Sequence, residues 1–271
     1  MSNGGIIGPT NDPVQLDLVT EFTSSGTYTT SPGASSLSAL IVAGGGNANG
    51  GGQAGSGGAG GYRNFTSIPV SAGSPYTITV GGAASNSSGF GYTASAGGNG
   101  VAPRGASPGG PGGSGGGCGD HYPGGGGSGG SGNSGSYTPP EGNPGSGASP
   151  GPANTGETPG AGGGSAGAGT IAPGPWNAKG GAGSPNTISG SDLWYATGGC
   201  YPGPIYSPEF GYPARGQPSL ANTGNGAQGE GPYSGGSGVI VVSEPGAGAF
   251  VGSGVWSMND VYTYVKQGEW S

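Results

Sequence analysis

Between residues 97 and 191 the chain runs through stretches such as GGPGGSGGGCGDHYPGGGGSGGSGNSG and TPGAGGGSAGAGT. Glycine dominates, and Pro, Ser, Ala and Asn fill most of the gaps. Neither an α-helix nor an ordinary side-chain-covered sheet accounts for such a segment. It is either disordered or ordered by backbone hydrogen bonds alone, and the rest of the reading depends on that choice.

Gly (74) and Pro (25) make up more than a third of the 271 residues, a level usual in low-complexity chains. Disordered chains, however, combine low hydrophobicity with high charge. Here only 6% of residues are charged, and 13 Tyr, 4 Trp and 5 Phe sit in clusters. Large aliphatics gather in short runs near the two ends, which leaves little for a conventional core. Glycine also loses more backbone entropy on ordering than any other residue, so order requires nearly complete backbone hydrogen bonding. Five Lys and Arg and a net charge of −7 are no footprint for nucleic acid. No apolar run approaches the ~20 residues that span a bilayer, and MSNGGIIGPTNDP lacks the basic and apolar regions of a secretion signal.

Val14 to Val19 alternates as a strand does, and either an edge strand or a docking arm containing Ile6 and Ile7 fits residues 1–20. Residues 21–46 suggest a hairpin or meander, with Ser25-Gly26 and Ser31-Pro32-Gly33 as turns. Leu37 to Ala43 is apolar nearly throughout, predicts a strand covered on both faces, and runs into Gly44-Gly45-Gly46. Tyr76 to Val80 is an alternating strand that ends at Gly81-Gly82. Val239 to Val242 is a buried-type strand, expected to close the sheet begun by residues 37–43. Near the C-terminus, Ser257 and Asp260 match a capping box. Trp256 can staple onto Val261, and Met258, Val261, Tyr262 and Val265 share one helical face. This predicts a short α-helix that needs a docking partner.

A polyproline-type helix has three residues per turn and no internal hydrogen bonds, so its N–H and C=O groups point outward. Glycine runs of this kind can approach closely and pair those groups with one another, which satisfies buried backbone without side chains. The expected fold class is therefore mainly β with a polyglycine II helix bundle: a short antiparallel sheet or sandwich portion, a glycine-rich sandwich and the C-terminal helix. A disordered linker is the competing reading. The expected organisation is an N-terminal attachment arm (1–20), a strand region with the first glycine run (21–96), the glycine bundle with aromatic loops and closing strand (97–243), and a linker with the docking helix (244–271). In this scheme the interruptions of the glycine runs are turns that can form a binding surface.

Cys118-Gly119-Asp120-His121 places a thiol, a carboxylate and the sole imidazole together. Zinc would need further ligands, and neighbouring residues rarely reach nucleophile–base geometry, so neither a metal nor a catalytic residue is expected. Cys118 and Cys200 are either paired or free. No Gly-Lys-Ser/Thr phosphate loop is present, and no cofactor is expected. The candidate binding residues are His121, Tyr122, Tyr137, Trp176, Trp194, Tyr195, Tyr201, Tyr206, Phe210 and Tyr212. Tyr and Trp offer large contact area at low entropy cost, and the same rings can instead form a small core that caps the bundle. The candidate attachment residues are Ile6, Ile7, Trp256, Met258, Val261, Tyr262 and Val265.

FTSSGTYTTSPGASSLSALIVAGGG, GGAGGY, YTITVGG and GGSGVIVV, in this order over residues 21 to about 243, resemble the glycine-rich domain of phage tail and virion proteins. The two ends are similar to terminal segments of structural proteins from T4-like phages, cyanophages among them. The glycine bundle with aromatic loops is similar to polyglycine II tail-fibre adhesins, and no contact residue carries over from them. The resemblance implies a non-enzymatic virion protein, a tail-fibre or adhesin component exposed on the particle. Its partners would be other virion proteins, further copies of itself and a host-surface glycan or outer-membrane protein, with no nucleic acid. A capsid decoration or head fibre is the alternative, and an ice-binding or matrix protein a more remote one. Lysis releases such proteins without a secretion signal.

Overall fold

The chain's two aliphatic runs can avoid water only by lying between two covered faces, and the fold is built around them. A computed structural model describes residues 17–103, 107–120, 127–149, 158–171, 177–201 and 219–246. Its strands are β1 (Leu18–Phe22), β2 (Gly26–Thr29), β3 (Ser36–Val42), β4 (Tyr62–Pro69), β5 (Pro75–Ile78), β6 (Ser87–Gly89), β7 (Tyr92–Ala94), β8 (Thr170–Ile171), β9 (Ala178–Lys179), β10 (Ser184–Asn186), β11 (Leu193–Tyr195) and β12 (Val239–Glu244). The architecture is mainly β, with short antiparallel sheets and no helix among the described residues. The helix expected near residues 257–268 lies outside them.

The largest sheet has the order β1-β12-β3-β4, antiparallel throughout. Val239 stands opposite Val42 and Val241 opposite Leu40, so the late aliphatic strand closes the early one as its sequence predicts. Side chains alternate between the two faces. On one face Leu37, Ala39, Ile41, Ile240 and Val242 pack with Tyr28, Ile78 and Ala94. On the other, Leu40, Val42, Val239 and Val241 pack with Ala59, Tyr195 and Ala196. Each such aliphatic side chain contributes roughly 1.5–3 kcal/mol.

The meander expected over residues 21–46 does not form. β2 pairs with β5, not β1, and β1 pairs with β12. A tight two-residue hairpin loop needs positive φ, and Ser24, Ser25 and Gly26 have none. β2 instead leaves the sheet and lays Tyr28 over its first face. The β6–β7 hairpin does meet the requirement, because Phe90 (φ 55°) and Gly91 (φ 81°) form its loop. The Phe90 ring packs 5.9 Å from that of Tyr28 and 5.2 Å from that of Tyr76, and these contacts offset the strained backbone.

The glycine runs lie inside the molecule. Residues 54–61, AGSGGAGG, are all buried, and their bonds follow a three-residue rotation. Gly55, Gly58 and Gly61 donate to the carbonyls of Val101, Gly98 and Ser95 (all 2.8 Å). Ser56 and Ala59 donate to Gly160 (3.0 Å) and Gly163 (2.9 Å), and Gly57 and Gly60 to Ala227 (2.8 Å) and Gly224 (2.9 Å). The carbonyls of the run accept in the same rhythm: Ser56 and Ala59 from Gly117 and Ser114, Gly58 and Gly61 from Gly46 and Ala43, and Gly57 from Gly199. A Cβ on Gly60 would sit 2.0 Å from the Ala43 oxygen, and one on Gly55 would sit 2.1 Å from the Gly117 oxygen. Only glycine permits this approach.

Candidate functional site

Four of the predicted binding residues are described, and these four do not gather in one place. Tyr137, Trp194, Tyr195 and Tyr201 are among the described residues. His121, Tyr122, Trp176, Tyr206, Phe210 and Tyr212 lie outside them, as do the attachment candidates Ile6, Ile7, Trp256, Met258, Val261, Tyr262 and Val265.

Tyr195 and Tyr201 are 3% and 5% exposed, so neither ring is presented to an outside surface. Tyr195 ends β11 with its ring against Leu40, Val42, Val239 and Val241. Tyr201 packs on Ala161 and Ala178 and donates its hydroxyl to the Gly52 carbonyl. Tyr195 thus covers the second face of the sheet, and Tyr201 fills the space between residues 161, 178 and 52. Trp194, opposite Pro185 in the β10–β11 hairpin, is half-buried.

Tyr137 sits in a loop that Asn133 ties together. The Asn133 Oδ1 accepts from Tyr137 N (3.1 Å), and its Nδ2 donates to the Tyr137 carbonyl (3.1 Å). The Arg63 guanidinium lies 3.7 Å from the centroid of the Tyr137 ring and 4.9 Å from that of Phe65, a cation–π arrangement. It also donates to the Thr93 carbonyl at 2.9 Å. The Tyr137 ring is thus taken up in fastening its loop to β4 and β7.

Two carboxylates that look like surface charges in the sequence are buried. Glu141 (1% exposed) accepts from the backbone N–H groups of Ser95 (2.8 Å) and Gly135 (3.1 Å). Glu244 (1% exposed) accepts the Tyr28 hydroxyl (2.8 Å) and the Ser31 N–H (3.1 Å). Both spend their acceptor capacity on structure. No disulfide joins Cys118 and Cys200, and burial pushes the Cys200 thiol up to about 11.

Among the described residues, an open groove of about 410 Å³ lies over the second face of the sheet, at the end away from the glycine runs. Polar residues take over from the aliphatic ones there. Val19 of β1, Ser243 of β12, Ser38 of β3 and Asn64 and Thr66 of β4 form its floor, with Asp17 at one end. The β10–β11 turn, from Asn186 to Gly190, walls one side. The polar groups are fixed. Ser243 Oγ donates to Asp17 Oδ2 (3.0 Å), Ser38 Oγ to the Thr66 carbonyl (3.0 Å) and Asn186 Nδ2 to the Tyr62 hydroxyl (2.7 Å). The Asn186 Oδ1 also accepts from Ile188 N at 2.8 Å, which braces the wall. None of these residues stands out in the sequence. Their signal is a polar residue at the end of an aliphatic series of alternate positions, Ser38 before Leu40 and Val42, and Ser243 after Val239 and Val241.

Burial holds the phenols of Tyr28, Tyr62 and Tyr195 above the ordinary tyrosine range. For Tyr28, the hydrogen bond to Glu244 and that carboxylate's charge push the same way. An acid whose folded pKa exceeds its unfolded one contributes stability that is complete below the unfolded pKa and is lost as pH rises through the folded pKa. The unfolding free energy should therefore hold steady up to about pH 9, where the raised Cys200 thiol begins to oppose the fold, and fall more steeply above about pH 10, by up to ~1.4 kcal/mol per pH unit for each group involved. Urea midpoints against pH, with tyrosinate absorbance followed in parallel, check this. Ionisation of every one of the 13 tyrosines near pH 10 in the still-folded protein would contradict it.

No protein-family model matches the chain, and no curated protein matches it.

Proposed function

We propose that the chain is a non-enzymatic virion protein of a phage, a tail-fibre or adhesin component whose rigid core holds surface loops and a groove toward the host. In this reading the glycine runs are a polyglycine II bundle. The observation that carries it is the three-residue rotation of the bonds around residues 54–61, in which every third N–H meets the same neighbouring run. Three residues per turn with outward backbone groups is the signature of that helix, and it matches the tail-fibre adhesins that the sequence resembles. A core bonded through its backbone leaves bulky side chains to the interruptions. The recognition candidates that remain once Tyr195 and Tyr201 are buried and Tyr137 is held under Arg63 are His121, Tyr122, Trp176, Trp194, Tyr206, Phe210 and Tyr212, with a host glycan or outer-membrane protein as partner. Residues 1–20 and 244–271 are the proposed attachments to other virion proteins.

Purified full-length protein should bind host cells and reduce phage adsorption in a dose-dependent way, and antibody labelling should place it on the tail. Labelling confined to capsid facets, together with no binding to cells, would favour a capsid decoration instead.

A further inference from the structure

We propose that the groove over the β1-β12-β3-β4 sheet is a binding site for a neutral saccharide. The inference takes its biological setting from the surface-recognition reading, and its chemistry stands on the groove itself. The volume of about 410 Å³ falls in the range of small-molecule sites. The floor crosses four strands spaced roughly 4.8 Å apart, which suits a short oligosaccharide better than a single ring.

The lining selects the ligand class. Asp17, Ser38, Asn64, Thr66, Asn186 and Ser243 supply hydroxyls, amides and one carboxylate. Hydroxyls and amides both donate and accept, as sugar hydroxyls do, so either direction of each bond can be met. Ser243 and Ser38 already give their hydroxyl protons to Asp17 and to the Thr66 carbonyl, so toward a ligand their oxygens act as acceptors. Asp17 is exposed, and its carboxylate has acceptor sites beyond the one that Ser243 occupies, suited to charge-assisted bonds from hydroxyls. Val19 and Ile188 give apolar contact for the C–H faces of a ring. Among the described residues the lining contains no Lys or Arg, so an anionic sugar, a phosphate or a nucleic acid would meet the Asp17 carboxylate there without a facing cation. The overall charge of −7 adds to that repulsion.

An extended peptide is the less favoured occupant. Peptides that join a sheet need an unpaired edge. The strands in the middle of this floor, β12 and β3, are each paired on both sides. The wall is also set before any ligand arrives, since Gly190 (φ 84°) turns the chain and its N–H donates to Thr187 O at 2.9 Å. A preformed wall lowers the ordering cost of binding.

The test is an NMR titration of the ¹⁵N-labelled full-length protein. Cellobiose, lactose and diacetylchitobiose serve as neutral probes, sialyllactose as the anionic probe and trialanine as the peptide probe. At least one neutral disaccharide should shift the Asn64 and Asn186 side-chain amides in a saturable way, while the anionic and peptide probes leave them unmoved. Asn64→Ala and Thr66→Ala, both at exposed positions on β4, should keep the spectrum of a folded protein and weaken that binding by about two- to tenfold each. No response to any neutral disaccharide, an equal response to sialyllactose or trialanine, or unchanged affinity in both variants would overturn the proposal. Cell binding separates it from the adhesin reading. Wild type and both variants binding host cells equally would remove the groove and keep the adhesin, whereas disaccharide binding without any cell binding would do the reverse.

Discussion

Gly57→Ala should lower the stability of the protein by about 3 kcal/mol or more, the upper end of what overpacking costs. A Cβ at this position would lie 2.0 Å from the Gly46 oxygen and 2.8 Å from the Ala227 nitrogen. Both atoms are backbone. Gly46 donates to Gly58 O, and Ala227 donates to Gly46 O, so neither run can retreat without breaking bonds to the other. At roughly 2–4 °C per kcal/mol for a chain of this size, the melting temperature should drop on the order of 6–12 °C. Gly33→Ala is the matched control. Gly33 is exposed, its φ is not positive, and nothing lies within 4 Å of the Cβ it would gain. It should be neutral, or stabilising by roughly 0.4–1 kcal/mol through the unfolded state. If the two variants melt together, the closeness of the runs is not what holds this core.

The second large effect is expected at Glu244. Removing its carboxylate with Glu244→Ala strands the Tyr28 hydroxyl and the Ser31 N–H in a buried place, at about 1–3 kcal/mol for each group left without a partner. A total of about 2–4 kcal/mol should appear as a lower denaturant midpoint with an unchanged slope. Tyr28→Phe breaks the same bond from the other side. The double variant should lose less than the sum of the two, with a coupling of about 1–3 kcal/mol. Additive losses would mean that the 2.8 Å contact carries no energy of its own.

These two sites mark where the sequence stops being informative. β3 and β12 were legible because a strand buried on both faces must be apolar at every position, and so was their partnership, since no other runs match them. The first face of the sheet was not. Its cover comes from β2 and β5, whose pairing depends on what Ser24 and Ser25 fail to do at the backbone. Among the glycine runs, order could be argued from the need to satisfy N–H and C=O groups, but the central position of residues 54–61 could not, because glycine carries no side-chain pattern to mark a neighbour. Glu141 and Glu244 read as ordinary surface charges, since their partners are backbone amides and a phenol distant in sequence. Tyr195 and Tyr201 stayed open between recognition aromatics and a small core for a related reason. Ala196, Gly198 and Gly199 beside them mark a close-packed interior, yet the same residues also compose loops. The groove was silent because its polar residues are scattered over five separate segments.

The bonding rhythm of residues 54–61 also bears on how such a gene can change length. Each residue turns the next donor toward a different neighbour, and the fourth returns to the first. Deleting one residue would hand every later N–H to the wrong run, and deleting two would do the same in the opposite sense. Loss or gain of three residues keeps the correspondence, so viable length variants of this run should differ by whole triplets of amino acids. Substitution there is also nearly closed, because a single-base change in a glycine codon that alters the residue adds a Cβ or ends the chain. Length changes of any size, and replacements of any kind, are left to the exposed connections. A lineage of such proteins would keep the runs almost letter for letter while the connections between them diverge.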